Sequence, residues 1–151
     1  MSDSNVLMIL EGFYVWRIIS MSTYNDTTIQ IVQNNLGDYF IKVEIRHEIR
    51  RHETNSVPFS VPNENDVINL QRGSTVPPNC FLIFRRQVQS AIRTMDMRIA
   101  RGTLSRLLGN IWRDLSSSDP NLLNSFRTVA NNVARIYNEM LRIRIFNGPR
   151  I

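Results

Sequence analysis

From Phe81 to Met140 the apolar residues of this 151-residue chain recur at steps of three and four, in three runs separated by helix breaks. That period constrains the fold more than any other feature, because it gathers each run's apolar side chains on one face of an α-helix. The first run is Phe81, Phe84, Val88 and Ile92, with Arg85, Arg86, Gln87 and Gln89 between. Pro77 and Pro78 precede it, where a fixed φ and a missing N–H do no harm. The second run spans Thr103 to Leu115 and carries Leu104, Leu107, Leu108, Ile111, Trp112 and Leu115, with Thr103 placed to cap it. Ser116 to Asn121 is a break. Asp119 followed by Pro120 supplies an N-cap and a first-turn residue for a third helix. The face of that helix is Leu123, Phe126, Ala130, Val133, Tyr137 and Met140.

Upstream the pattern changes. Residues 1–55 mix apolar and polar side chains without one clean period. Thr27 to Val32 (TTIQIV) and Tyr39 to Ile45 (YFIKVEI) alternate, and Asn35-Leu36-Gly37-Asp38 between them is a turn signal, so a hairpin is expected there. The pattern assigns nothing more to this region, and partial disorder fits the rest. Residues 54–78 hold Pro58, Pro62, Pro77 and Pro78 among many Asn and Ser. That composition reads as a linker, placed at 56–75. The resulting division is a 1–55 N-terminal region, the linker, a helical unit over 76–141 and a basic tail over 142–151. No internal repeat or low-complexity tract is present.

Charge is divided along the same line. Residues 1–71 carry five cations against nine carboxylates, a net of −4, whereas residues 72–151 carry thirteen Arg against four, a net of +9. Lys42 is the sole lysine. Arginine offers a planar fork that grips phosphate through two bonds and enters narrow grooves. A general bias toward arginine would remove lysine equally well, but it would not gather the arginines in one half. Cys80 is the single cysteine, so no intrachain disulfide or thiolate cluster can form. The apolar stretch at 6–19 is interrupted by Glu11 and Arg17 and is too short to span a bilayer. The M-S-D-S start lacks the basic region of a signal peptide.

Two segments add specificity to this picture. V-P-P-N-C-F-L-I-F from Val76 and L-S-R-L-L-G-N-I-W-R from Leu104 sit at a fixed separation. Over Val76 to about Leu141 the chain resembles an HMG box of the sequence-specific class, closest to fungal mating-type HMG proteins and the SOX and TCF families. Those begin R-P-x-N-A-F and continue I-S-K-x-L-G-x-x-W-K in the second helix, and the distance from Asn79 to Gly109 matches without a gap. The third helix matches more weakly, through F-R-T-V-A and then Tyr137 where the family often has His. Val76 stands in place of the family's Arg. Arg101 and Gly102 stand where it often has an Asn-Ser pair that touches bases. A short insertion surrounds Ser116 to Asp119, and the aromatic Tyr-Pro-x-Tyr ending is missing. These departures bear on tight sequence specificity.

The resemblance implies an all-α, three-helix, L-shaped box held at its corner by aromatic residues. Phe84, Leu108, Trp112 and Phe126 are the expected core, with Phe81 shared between core and DNA face. Such a small unit buries only about 60% of its chain surface. Losing a buried Trp costs roughly 3–5 kcal/mol, so Trp112→Ala is expected to unfold it. The family's concave face enters a widened minor groove and drives an apolar wedge between base pairs. Leu82 takes the wedge position. By its helical setting alone it is core more readily than wedge; the resemblance reverses that preference. Asn79 takes the position of a base-edge reader, and Asn also suits an N-cap. Ser105 is a second reader or an ordinary surface serine. Arg85, Arg86, Arg93, Arg101, Arg106 and Arg113 are the candidate phosphate contacts.

No catalytic arrangement is visible. H-E-I-R-R-H at His47 to His52 has one residue too many for a zinc-protease pair on one helical turn. No Gly-rich phosphate loop or convergent carboxylate set occurs. Neither an enzyme, a metal, a cofactor, a small-molecule substrate nor a membrane is expected. The expectation is a nuclear transcription regulator that bends double-stranded DNA from the minor groove. Two competitors stand beside it: a non-specific architectural DNA-binding protein, and a degenerate box that binds a protein partner chosen through residues 1–70.

Overall fold

The architecture is mixed α and β. The computed structural model describes residues 8–11, 14–48, 51–70 and 76–147, which form one antiparallel sheet and four helices. Strands β1 (Met8–Glu11), β2 (Tyr14–Tyr24), β3 (Thr27–Asn34), β4 (Tyr39–Glu48) and β5 (Arg51–Phe59) lie side by side in chain order, a plain meander. Helices α1 (Glu64–Leu70), α2 (Cys80–Thr94), α3 (Arg101–Ser118) and α4 (Pro120–Asn147) follow. The expected all-α three-helix box is therefore overturned. Its three helical segments are helices, but α3 packs along β2, and α2 packs on β4 and β5. α4 lies against α2 and α3, with α1 beside it.

The expected hairpin is the centre of the sheet. Ile29 faces Val43 and Ile31 faces Ile41, and none of the four has any exposed surface. The turn between these strands is closed by Asn34, whose Oδ1 accepts from the N–H of Leu36 (3.0 Å) and Asp38 (2.9 Å). Gly37 adopts φ +91°, which a residue without Cβ reaches at no steric cost.

The remaining strands show why period two failed elsewhere. In β2 the register shifts between Ile18 and Ser20, a bulge that changes the phase of alternation. Its helix-facing side carries Ser20 and Ser22, both buried, while Met21 between them is exposed. In β5 the sequence R-H-E-T-N-S-V-P-F is polar and contains Pro58. An edge strand tolerates proline because one row of its backbone groups has no ladder partner to lose. So the linker expected at 56–75 is in part strand and in part helix α1; residues 71–75 lie outside the described residues, as does the basic tail beyond Asn147.

One core joins sheet and helices. Phe59, from β5, meets Phe84 of α2 (6.1 Å between ring centroids) and Phe126 of α4 (6.0 Å). Phe84 in turn meets Trp112 of α3 (5.1 Å) and Phe126 (5.4 Å). Phe84, Leu108 and Phe126 have no exposed surface, whereas Trp112 is half-buried at the edge. Phe84, Trp112 and Phe126 do meet, but as part of a core shared with the sheet through Phe59 rather than as the corner of a three-helix box. Two of these contacts, Phe59–Phe84 and Phe84–Phe126, are edge-to-face, an arrangement favoured by the ring quadrupoles.

A polar knot ties the same layers at the start of α4. Asp119 Oδ1 accepts from Leu122 N–H (3.1 Å), the expected N-cap, with Pro120 in the first turn. Its Oδ2 accepts from the Tyr39 hydroxyl (2.6 Å) and lies 4.0 Å from the Arg17 guanidinium. Burial and then the bonded Asp119 push the Tyr39 hydroxyl's pKa well above its ordinary value. Among the described residues, no helix is long and apolar enough to cross a membrane.

Candidate nucleic-acid interface

Helix α2 buries Ile83, Phe84, Val88, Ala91 and Ile92. Leu82, Arg86, Gln89 and Arg93 step by four, three and four along the opposite side. Leu82 is half-buried and is not among the side chains packed against the core, while its neighbour Phe81 is. Phe81 rests on Trp112 with ring centroids 5.9 Å apart. The beginning of α2 thus meets the later part of α3. Asn79 is exposed and caps α2, its Oδ1 accepting from Leu82 N–H (2.8 Å). That bond leaves its amide nitrogen unassigned to the cap.

Helix α3 buries Leu104, Leu107, Leu108, Ile111 and Leu115. Its outer side carries Gly102, Ser105, Arg106, Gly109 and Arg113. A Cβ built on Gly102 or Gly109 would meet nothing within 4 Å. Internal packing therefore demands neither glycine, although each weakens a helix relative to alanine. With Ser105 between them they form a low strip that lets another surface approach the helix backbone. The expected capping role of Thr103 is not observed: α3 begins at Arg101, after Ala100, and no side chain caps it.

The candidate arginines fall into two groups. Arg93 and Arg101 are exposed, and Arg85 is partly so. Arg106 and Arg113 are exposed too but each contacts another side chain, and Arg86 is half-buried. Arg106 lies over the Tyr24 ring at 4.4 Å. Arg113 donates through Nη2 to Asn110 Oδ1, and Asn110 Nδ2 donates to Ser22 Oγ (3.2 Å). Arg86 borders a cavity of about 60 Å³ with Pro62, Asp66, Val67 and Leu70, and its Nη1 is buried with no hydrogen-bond partner. Sequence reasoning missed Tyr24, Ser22 and Asn110, and nothing in the sequence marks them, because each acts across the sheet–helix boundary.

A second cavity, of about 230 Å³, lies on the outer sheet face between Trp16, Val32, Phe40, Lys42, Thr54 and Ser56. It is below the ~300–1,000 Å³ of ordinary ligand pockets. Among the described residues no group of three or more His, Cys, Asp or Glu is placed to hold a metal ion. No protein-family model, curated protein or solved structure matches this chain.

Proposed function

We propose that this protein binds double-stranded DNA through the outward faces of α2 and α3 and acts in the nucleus as a DNA-bending regulator of transcription. The observation that carries this reading is the position of Leu82. Leu82 lies on the polar side of α2, beside Arg86 and Gln89; it is half-buried yet stands apart from the main core cluster, which leaves it placed to act as a wedge. Inserted between base pairs, it would unstack one step, offset by the extra surface a bent duplex contacts. Asn79 has an amide to offer a base edge, and Ser105 a hydroxyl. Arg85, Arg93 and Arg101 supply phosphate contacts, with Arg86, Arg106 and Arg113 at the margins. The net of +9 on residues 72–151 favours approach to a polyanion.

The glycine strip favours duplex over a protein partner, since it admits a groove wall close to α3 while contributing no side chain of its own. It also favours backbone-led binding over tight sequence reading, which keeps the architectural role as the second reading. Competition by random duplex separates the two, because specific readers prefer their site by ~10³ or more.

The test is a short duplex carrying donor and acceptor dyes at its ends. The wild-type protein should raise transfer on binding, and Leu82→Ala should bind with much of the rise lost and its melting temperature little changed. With five or six phosphates engaged, log K should fall against log salt with a slope of roughly −5. An unchanged bend in Leu82→Ala removes the wedge. Absence of binding at low salt removes the reading as a whole and leaves the protein-partner alternative.

A further inference from the structure

We propose that the sheet presets the arginines of α3 for phosphate: Tyr24 orients Arg106, and Ser22, acting through Asn110, orients Arg113. The inference rests on the duplex-binding reading and assigns residues of the acidic half a part in it. Arg106, Asn110 and Arg113 step by four and three along the edge of α3 that borders β2. Arg106 Cζ stands 4.4 Å from the Tyr24 ring centroid, an attraction to the ring face that takes up no hydrogen-bond acceptor. Tyr24 thus fixes the direction of Arg106 without consuming a donor. Arg113 spends one of its two Nη2 donors on Asn110 and retains the other, with Nη1 or Nε beside it, for a two-bond grip. The two arginines are seven residues apart, about 10 Å along the helix, so they meet separate phosphates.

Ser22 supports the same conclusion from the sheet side. It occupies a buried, helix-facing position opposite Ile29, where an aliphatic residue would pack without needing a partner. Its hydroxyl instead takes the Asn110 amide. A side chain held before binding loses less rotamer freedom on binding, so its contact is realised more fully. Tyr24 and Asn110 are positioning residues in this scheme, and only the arginines touch the ligand.

The experiment uses the full chain and a short fluorescent duplex, titrated across a salt series, with the melting temperature of each variant measured alongside. Tyr24→Leu keeps apolar bulk and removes the ring; Tyr24→Phe keeps the ring. We expect Tyr24→Leu to lower affinity several-fold and make the salt slope shallower by about one. Tyr24→Phe should match wild type, and Tyr24→Leu with Arg106→Ala should lose no more than Arg106→Ala alone. Should Tyr24→Leu prove too unstable, Asn110→Ala tests the second arm: it should shift the slope as Arg113→Ala does. A gain in affinity in Tyr24→Leu overturns the proposal, because the ring would then be withholding Arg106. So would equal binding by Tyr24→Leu and wild type, or additive losses in the double variant. If the wild-type chain binds no duplex, the functional reading fails and the proposal goes with it. If it binds and only these variants are silent, the proposal alone fails.

Discussion

The sheet and the helical layer share one core but distribute polarity in opposite ways. The helices keep their inner faces wholly apolar and carry arginine outward. The sheet accepts Arg17, Ser20 and Ser22 on its inner side and places Trp16, Met21 and Phe40 on its outer side. Inward polar groups of the sheet bond across the boundary: Ser22 with Asn110, Tyr39 with Asp119 at a helix cap, Tyr24 with Arg106, and Asn55 with Met97 in the loop between α2 and α3. The acidic half is therefore no detached flank. It is the wall against which the basic half is built, and the polar contacts at the boundary fix how the two layers register.

The strongest way to break that view is to separate the layers. Residues 76–151 alone expose the faces of α2 and α3 that pack on β2, β4 and β5, and the aromatic cluster loses Phe59. We expect this fragment to show no cooperative melt. Within the full chain, Phe59→Ala should cost roughly 3–5 kcal/mol, although it lies in the sheet, and should lower the melting of helix and strand signals together. Two separate transitions by circular dichroism would mean that the layers fold independently. Phe84→Ala should cost as much, and Trp112→Ala less, because Trp112 keeps part of its surface in water.

The polar knot gives a smaller effect with a pH signature. Asp119→Ala removes a helix cap and the acceptor of a partly buried hydroxyl, for a loss of roughly 1–2 kcal/mol. Tyr39 has its pKa raised in the folded chain above the unfolded value of about 10. Below that value both states hold the proton and the full contribution is present. As pH rises past it, the unfolded chain ionises first and stability falls. Tyr39→Phe should flatten the alkaline side of a stability-against-pH curve measured by urea denaturation. An alkaline limb identical in both proteins would show that Tyr39 is not its source.

The smallest expected change sharpens the comparison from the helical side. Gly109→Ala places a methyl group in open space and should raise stability by about 1 kcal/mol. The same methyl should weaken duplex binding if a groove wall approaches the strip. A stabilised variant with undiminished affinity would show that the strip stays clear of DNA.

Three helices and the Asp119 cap were legible in the sequence, because a period of three to four, a proline pair and an Asp-Pro step are local instructions. The hairpin of β3 and β4 was legible for the same reason, with clean alternation and a turn signal. β2 and β5 were not. A bulge reversed the phase of one, and the other's polar residues and Pro58 are acceptable only because it lies at an edge. Of the candidate site, the capping position of Asn79 followed from the start of α2, whereas for Leu82 helical position alone favoured the core. The side-chain contacts of Arg106 and Arg113 did not follow from the sequence.

What the amino-acid order determined by itself was each segment's intrinsic bias and the side of a helix on which its residues fall. What only the tertiary structure decided was that the acidic half closes over α2 and α3, that Phe59 completes the aromatic core, and that Tyr24, Ser22 and Tyr39 reach across to Arg106, Asn110 and Asp119. The reason is physical. Helical periodicity and capping are set by neighbours a few residues apart, whereas a strand's burial, a ring beneath a guanidinium and a hydroxyl on a carboxylate eighty residues away exist only once distant parts of the chain share one interior.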